Sequence, residues 1–260
     1  MILRHGAEGS DVKPMVEDVN QVLDQDPSED GPFAAPVYSD NLVEKIGLDP
    51  DDNTNLTRRM LFLLESVPVT GDATYETVFD EVLSRYFDKS VKPYRPPRFL
   101  LNDVVRYWRT ICVDFAGKER KSSEKWGLRN AKLRASRKVL FACGFLPVLE
   151  CFRFDLGEMR EFLEEQLAMP PVDVIAQALL QNGAIDAGSR SLGAYDEFIG
   201  RMNEPEFRGA LKKVNRDNCD SSEAFSEVRR IGEELEDGLL ALLYEAPGEL
   251  PRVVRDYAIF

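Results

Sequence analysis

The chain has 260 residues, of which 43% are hydrophobic and 30% charged, enough for one large or two small domains with a real core. Lys plus Arg is 33 against 46 Asp plus Glu, a net charge of -13, which disfavours long nucleic acid and anionic membranes as partners. The single histidine, His5, excludes a histidine-based triad, a histidine-rich metal site and a phosphohydrolase of the His-Asp type.

The four cysteines, Cys112, Cys143, Cys151 and Cys219, form no C-x-x-C pair, so a zinc site is not expected. Three of them stand among apolar residues, as free thiols do in a reducing compartment. The longest apolar run, Val139 to Phe152, is too short to span a bilayer. The N-terminus lacks the apolar core of a signal peptide. A cytoplasmic protein with no membrane partner is expected.

Residues 1–36 read as a weakly ordered segment. Val12, Met15, Val19, Val22 and Leu23 have the spacing of one short helix, and Asp24 to Pro36 is an acidic, Pro- and Gly-containing loop. Asn41 to Ile46 predicts a short helix stopped at Gly47. Thr54 or Asn55 is a candidate cap for a helix with Leu56, Met60, Leu63 and Leu64 on one side. Asp72 is expected to cap a helix running to about Asp88. Lys92 to Pro97 is a stiff link. Two long helices follow, from about Arg98 to Lys118 and from about Lys125 to Leu146. Their apolar stripes are Leu101, Val104, Trp108, Ile111, Phe115 and Leu128, Ala131, Ala135, Val139, Ala142. Core packing is the expected role of Trp108 and Trp126. Beyond Pro147 the pattern predicts helices over 156–169, 172–181, 195–202, 206–214 and 222–245, punctuated by Pro170-Pro171 and by Gly183 to Gly188. No strand ladder stands out. The fold class is mainly α, a helical bundle in two lobes. The expected domains are 1–36, 37–150 and 151–260, the last an acidic helical lobe.

The average charge hides a local reversal. Residues 92–138 hold fourteen basic and four acidic side chains, +10, and the remaining 213 residues carry -23. On the first long helix Arg98, Asn102, Arg106 and Arg109 recur every three or four residues and so share a face. Lys125, Arg129 and Lys132 do the same on the second. An antiparallel pair would set two cationic rows across one groove, and clustered guanidinium groups suit phosphate oxygens. Asp103 and Asp114 lie among these cations, either to hold Mg2+ or orient a hydroxyl, or as ion-pair partners of Arg106 or Lys118. The basic rows can equally be a solvated face that balances the acidic remainder.

GxGxxG and P-loop patterns are absent. Gly9-Ser10 followed by Asp18-Val19-Asn20 is a chance match to a Gly-Ser…Asp-x-Asp metal motif, because Asn20 stands where the second carboxylate belongs. The succession NTNLTRRMLFLLES, VPVTGDATYETVFDEVL, FLLNDVVRYWRTICVDF and KWGLRNAKLRASRKVLFACG resembles the nucleotidyltransferases related to PII-uridylyltransferase, over about residues 37 to 146. In that family a polymerase-β-like core leads into a helical substrate-binding region. The turn at Val69 to Asp72 is similar to the turn after that core, and Lys125 to Asn130 to its Gly-Leu-Arg-Asp element, with Asn130 in place of Asp. The resemblance implies a truncated or degenerate core, of which residues 1–36 would be a small α/β remnant. It also implies a helical lobe that grips a nucleoside triphosphate or another phosphorylated small molecule, with Mg2+ as the metal. Arg98, Asn102, Arg106, Arg109, Lys125, Arg129 and Lys132 would bind the anionic oxygens, and catalysis would need a partner subunit or the missing core. The alternative is a non-catalytic helical module that binds or regulates a protein partner.

Overall fold

The computed structural model describes residues 2–3, 32, 37–68, 71–87, 91–122 and 124–258. The helix expected over 12–23, the Gly9-Ser10 and Asp18–Asn20 strings, and Val69 and Thr70 lie outside them. The chain is mainly α. It divides into two compact units, Met1–Lys89 and Ser90–Phe260.

The first unit pairs β1 (Ile2–Leu3) in parallel with β2 (Val37–Tyr38), and its described residues include the helices α1 (Ser39–Val43), α2 (Asn53–Glu65) and α3 (Asp72–Tyr86). The cap of α2 is Asp52, whose carboxylate accepts from the Asn55 amide at 2.8 Å, rather than Thr54 or Asn55. A short acidic side chain just before the helix serves its free N–H groups and its dipole together. Gly71, at φ 75°, makes the left-handed entry to α3, so Asp72 is the first helical residue and not the cap. Leu56, Met60, Leu63, Val82 and Leu83 form the core, and Phe62 packs edge-on against Tyr75 at 5.2 Å. Inside that core lies Arg59, fully buried. Its guanidinium donates to both oxygens of Asp51 at 3.0 and 2.8 Å and to the Tyr86 hydroxyl at 2.7 Å. Two paired hydrogen bonds to a carboxylate are what make a buried guanidinium tolerable.

The second unit holds α4 (Arg98–Lys121), α5 (Trp126–Arg134), α6 (Ser136–Glu150), α7 (Leu156–Ala168), α8 (Pro171–Gln181), α9 (Ile185–Met202), α10 (Pro205–Lys212), α11 (Glu223–Glu245) and α12 (Leu250–Tyr257). Its centre is α6, buried at every position from Ala142 to Glu150 and packed by α4, α7, α8 and α12. The expected second long helix is therefore two helices, broken at Ala135 (φ -117°, ψ -81°). Pro147 lies inside α6 rather than at a hinge. A proline in a helix interior costs about 3 kcal/mol, a cost that burial of the surrounding apolar run offsets. Residues on both sides of 150 share one core, and the two compact units meet at Lys89/Ser90.

The partner pair α9 and α11 packs antiparallel at very close range. A Cβ on Gly238 would lie 2.4 Å from Ser191 Oγ and 2.6 Å from the Ala187 carbonyl, and Ser191 Oγ donates to the Leu235 carbonyl at 2.9 Å. Gly188, read from sequence as punctuation, is inside α9, where a Cβ would press on Leu179 at 3.2 Å. Here glycine permits close helix contact instead of ending the helix, and so α9 begins ten residues earlier than the expected start at 195.

Two stability outcomes follow from this packing. Asp51→Ala removes the paired carboxylate from the buried Arg59 guanidinium and is expected to destabilise the first unit by about 3–5 kcal/mol, whereas Tyr86→Phe costs about 1 kcal/mol. Urea unfolding followed by circular dichroism checks the order. Gly238→Ala overpacks the α9–α11 contact and is expected to cost about 1–3 kcal/mol. Gly193→Ala on the open side of α9, where a Cβ meets nothing within 4 Å, is expected to stabilise by about 0.5–1 kcal/mol. Equal urea midpoints for the two glycine variants would contradict that assignment.

Candidate functional site

The candidate residues lie in the second unit, on α4 and α5. The inner side of α4 is Leu100, Leu101, Asp103, Val104 and Tyr107, all buried. Its opposite side presents Arg98, Asn102 and Arg109 to solvent, with Arg106 half-buried between them. The sequence-expected face on α4 is thus a real geometric row. Arg98 is partly engaged, its guanidinium 5.1 Å over the Tyr257 ring of α12.

The α5 row is built differently. Lys125, at φ 55°, turns the chain into α5, and Trp126 and Gly127 then fasten that helix. Trp126 is buried against Phe225 of α11 at 5.1 Å, and its indole N–H donates to Glu119 at 2.9 Å. Glu119 also binds Arg216 at 2.6 Å. The Gly127 amide donates to the Val214 carbonyl at 3.0 Å, and a Cβ on Gly127 would lie 2.6 Å from both the Leu211 carbonyl and Val214 Cβ. The Trp-Gly pair, read as part of a binding element, is a clamp between α4, α5, α10 and α11. Trp108, by contrast, is half-buried and packs on Phe141 of α6 at 5.3 Å.

This clamp decides which cations meet. α5 begins beyond the C-terminal end of α4, so along the α4 axis Arg98 is about 30 Å from that end. Arg98 and Asn102 therefore do not face Lys125, Arg129 and Lys132 across one groove, and the partner of α4 along its apolar side is chiefly α6. What α5 does face is α10. The close approach at Gly127, near Leu211 and Val214, runs α5 past α10 and brings Lys132 into the field of Arg208. The break at Ala135 turns the chain so that Arg137 acts on Lys132 from the start of α6. Lys132 reaches solvent, yet partial desolvation, followed by the like charges of Arg137 and Arg208, holds its ammonium below the ordinary lysine value of 10.5. Among the described residues neither Lys132 nor Arg208 has a side-chain hydrogen bond or ion pair. One turn before Lys132, Arg129 donates through Nη2 to the Ser122 carbonyl at 2.8 Å while its buried Nε has no partner. Arg208 and Arg137 were not among the sequence candidates. Arg208 lies 76 residues beyond Lys132 in the chain, outside the basic stretch 92–138, so no local pattern marks it.

The two candidate carboxylates do not join this cluster as metal ligands. Asp103 is buried on the inner side of α4, and Asp114 is an exposed ion-pair partner of Lys118 at 2.7 Å. Three turns of helix, about 16 Å, separate them, too far to share one Mg2+. Among the described residues no group of three or more His, Cys, Asp or Glu side chains could hold a metal ion. All four cysteines are free. Burial raises the Cys112 thiol, and burial beside Glu150 raises that of Cys151, so both stay in the unreactive protonated form. Among the described residues no helix is long and apolar enough to cross a membrane.

Comparison of the chain with protein-family models, with curated proteins and with solved structures gives no match.

The sign of the Lys132 effect is testable. A lysine held below its unfolded value opposes folding while it is charged, and the opposition fades as the pH rises through the folded pKa. Stability is therefore expected to gain from this group as the pH approaches 10.5. Titration of the Lys132 side chain by nuclear magnetic resonance should give a pKa below that of free lysine. The value should rise in Arg208→Gln and again on addition of inorganic phosphate. A pKa unmoved by both changes would refute the assignment.

Proposed function

We propose that the chain is a nucleotidyltransferase-like protein that binds a phosphate-bearing small molecule on the α5 face, through Arg129, Lys132, Arg137 and Arg208. The observation that carries the reading is the convergence of cations from α5, α6 and α10 on Lys132. Like charges held together by packing are relieved by an anion, and guanidinium groups supply the paired donors that phosphate oxygens take. The nucleotidyltransferase part of the reading rests on the resemblance of residues 37 to 146. In a transfer reaction these residues would offset charge on the phosphoryl oxygens and hold the substrate, with no covalent step of their own. Lys125 lies on the same helical side one turn earlier and extends the row. Arg98, Asn102, Arg106 and Arg109 belong to a separate surface of α4, and Asp103 and Asp114 stand too far apart to share one metal ion.

Calorimetric titration of the full chain with tripolyphosphate, and with ATP, UTP and CTP in the presence of Mg2+, tests the reading. Binding with release of heat is expected. Lys132→Ala and Arg208→Ala should each weaken it about tenfold, the size of one charge-assisted hydrogen bond. Without ligand, Arg208→Ala should unfold no earlier than the natural chain, because it removes repulsion. No heat with any of these ligands would sink the proposal.

A further inference from the structure

Two solvent faces of the second unit are complementary in both charge and apolar content. The outer row of α4 continues past Arg109 to Val113, Gly117 and Arg120, at steps of four, four and three residues, so it is one stripe along the helix. Val113 is 71% exposed, and a Cβ on Gly117 would meet nothing within 4 Å, leaving an open notch beside it. On α11 the outward residues Glu233, Asp237, Leu240 and Tyr244 recur at steps of four, three and four. Leu240 and Tyr244 are 42% and 45% exposed. The adjoining ends of α8 and α9 add Leu180 and Ile185, at 66% and 63%. These four apolar side chains gather at one end of the unit, because Gly183 in the α8–α9 turn touches Pro247 after α11, and α9 runs antiparallel to α11. Exposed apolar side chains beside charged ones are characteristic of interaction sites. Among the described residues neither Arg109 nor Asp237 has a charged partner.

The two stripes have the same order along their helices. Arg109, Val113 and Gly117 run cation, apolar step, notch; Asp237, Leu240 and Tyr244 run anion, apolar step, aromatic. We infer that the α11 face is a docking surface for the outer stripe of α4 from a second copy of this chain. Arg109 meets Asp237 and Val113 meets Leu240, while Tyr244 covers the notch at Gly117. The two patches are different parts of one chain, so the contact is head-to-tail. It leaves Lys132 and Arg208 free, and it neither needs nor excludes the anion site on α5.

Charge exchange tests this without disturbing the core, since both residues are exposed. Sedimentation velocity of the full chain over a range of concentrations should show reversible self-association. Arg109→Glu and Asp237→Arg should each weaken it about tenfold or more by placing like charges opposite one another, with unchanged circular dichroism. An equimolar mixture of the two variants should regain it, because each variant then finds an opposite charge on the other. A natural chain that stays monomeric throughout overturns the inference and leaves the α11 face to a different partner. Self-association that survives either reversal, or a mixture that fails to associate, overturns it as well.

Discussion

The amide of Gly127 donates to the Val214 carbonyl, and the space where a side chain would stand is taken by the backbone of Leu211 and the Cβ of Val214. The proposed anion site depends on this contact. Only a residue without a Cβ lets α5 approach α10 so closely. The approach is locked from the other side by Trp126, whose ring lies on Phe225 and whose N–H binds Glu119. Lys132 is then carried past Arg208, and the short helix ends at Ala135 so that Arg137 can approach from α6. A single straight helix from 125 to 146 would hold the α5 and α6 residues in a fixed helical order with no such turn between them. The break that sequence periodicity did not show is what lets the cations gather around one lysine.

Most helices were legible because their apolar residues repeat at helical spacing and their interiors lack prolines. The stripe Leu128, Ala131, Ala135, Val139 and Ala142 is buried throughout, even though it spans two helices, because the break at Ala135 keeps the same side inward. The misread positions were those where one residue type serves two physical ends. Gly188 looked like a stop and is a packing contact, and Pro147 looked like the end of a helix and lies inside a buried one. The eight-residue α12 was not foreseen, since LPRVVRDY carries a proline at its second position; a proline is tolerated in a helix's first turn, where the amide has no partner. Asp52 in place of Thr54 or Asn55 as the cap is a shift of two or three residues, which spacing alone does not resolve.

The site was legible in charge and not in geometry. Counting charges finds +10 in residues 92–138, and helical spacing finds the rows. Neither shows that α5 faces α10 rather than the start of α4. That depends on a contact between residue 127 and residues 211 to 214, far apart in sequence and made by backbone atoms. A glycine flanked by an aromatic and a leucine is the one local signal available, and it does not name its partner. Arg208 shows the same limit: in its own stretch it is one charge among several, and it acquires a role only from the helix it passes.

The concentrated positive charge thus separates into two surfaces with different requirements. On α5 the cations come from three helices and push on one another, and the ligand proposed there is a compact anion. On α4 they are spaced along one helix and interrupted by Val113 and Gly117. A small anion could satisfy no more than one or two of them, and it would leave the apolar step in water. A surface with matching steps satisfies both, and the acidic, apolar stripe of α11 has them. The net charge of -13 opposes bringing two copies together, and that opposition acts between whole molecules through screened solvent. The complementarity acts at contact, where one well-placed pair and a few buried apolar groups decide the outcome. For this chain the arrangement of charge within a few turns of helix therefore says more about its partners than the total does.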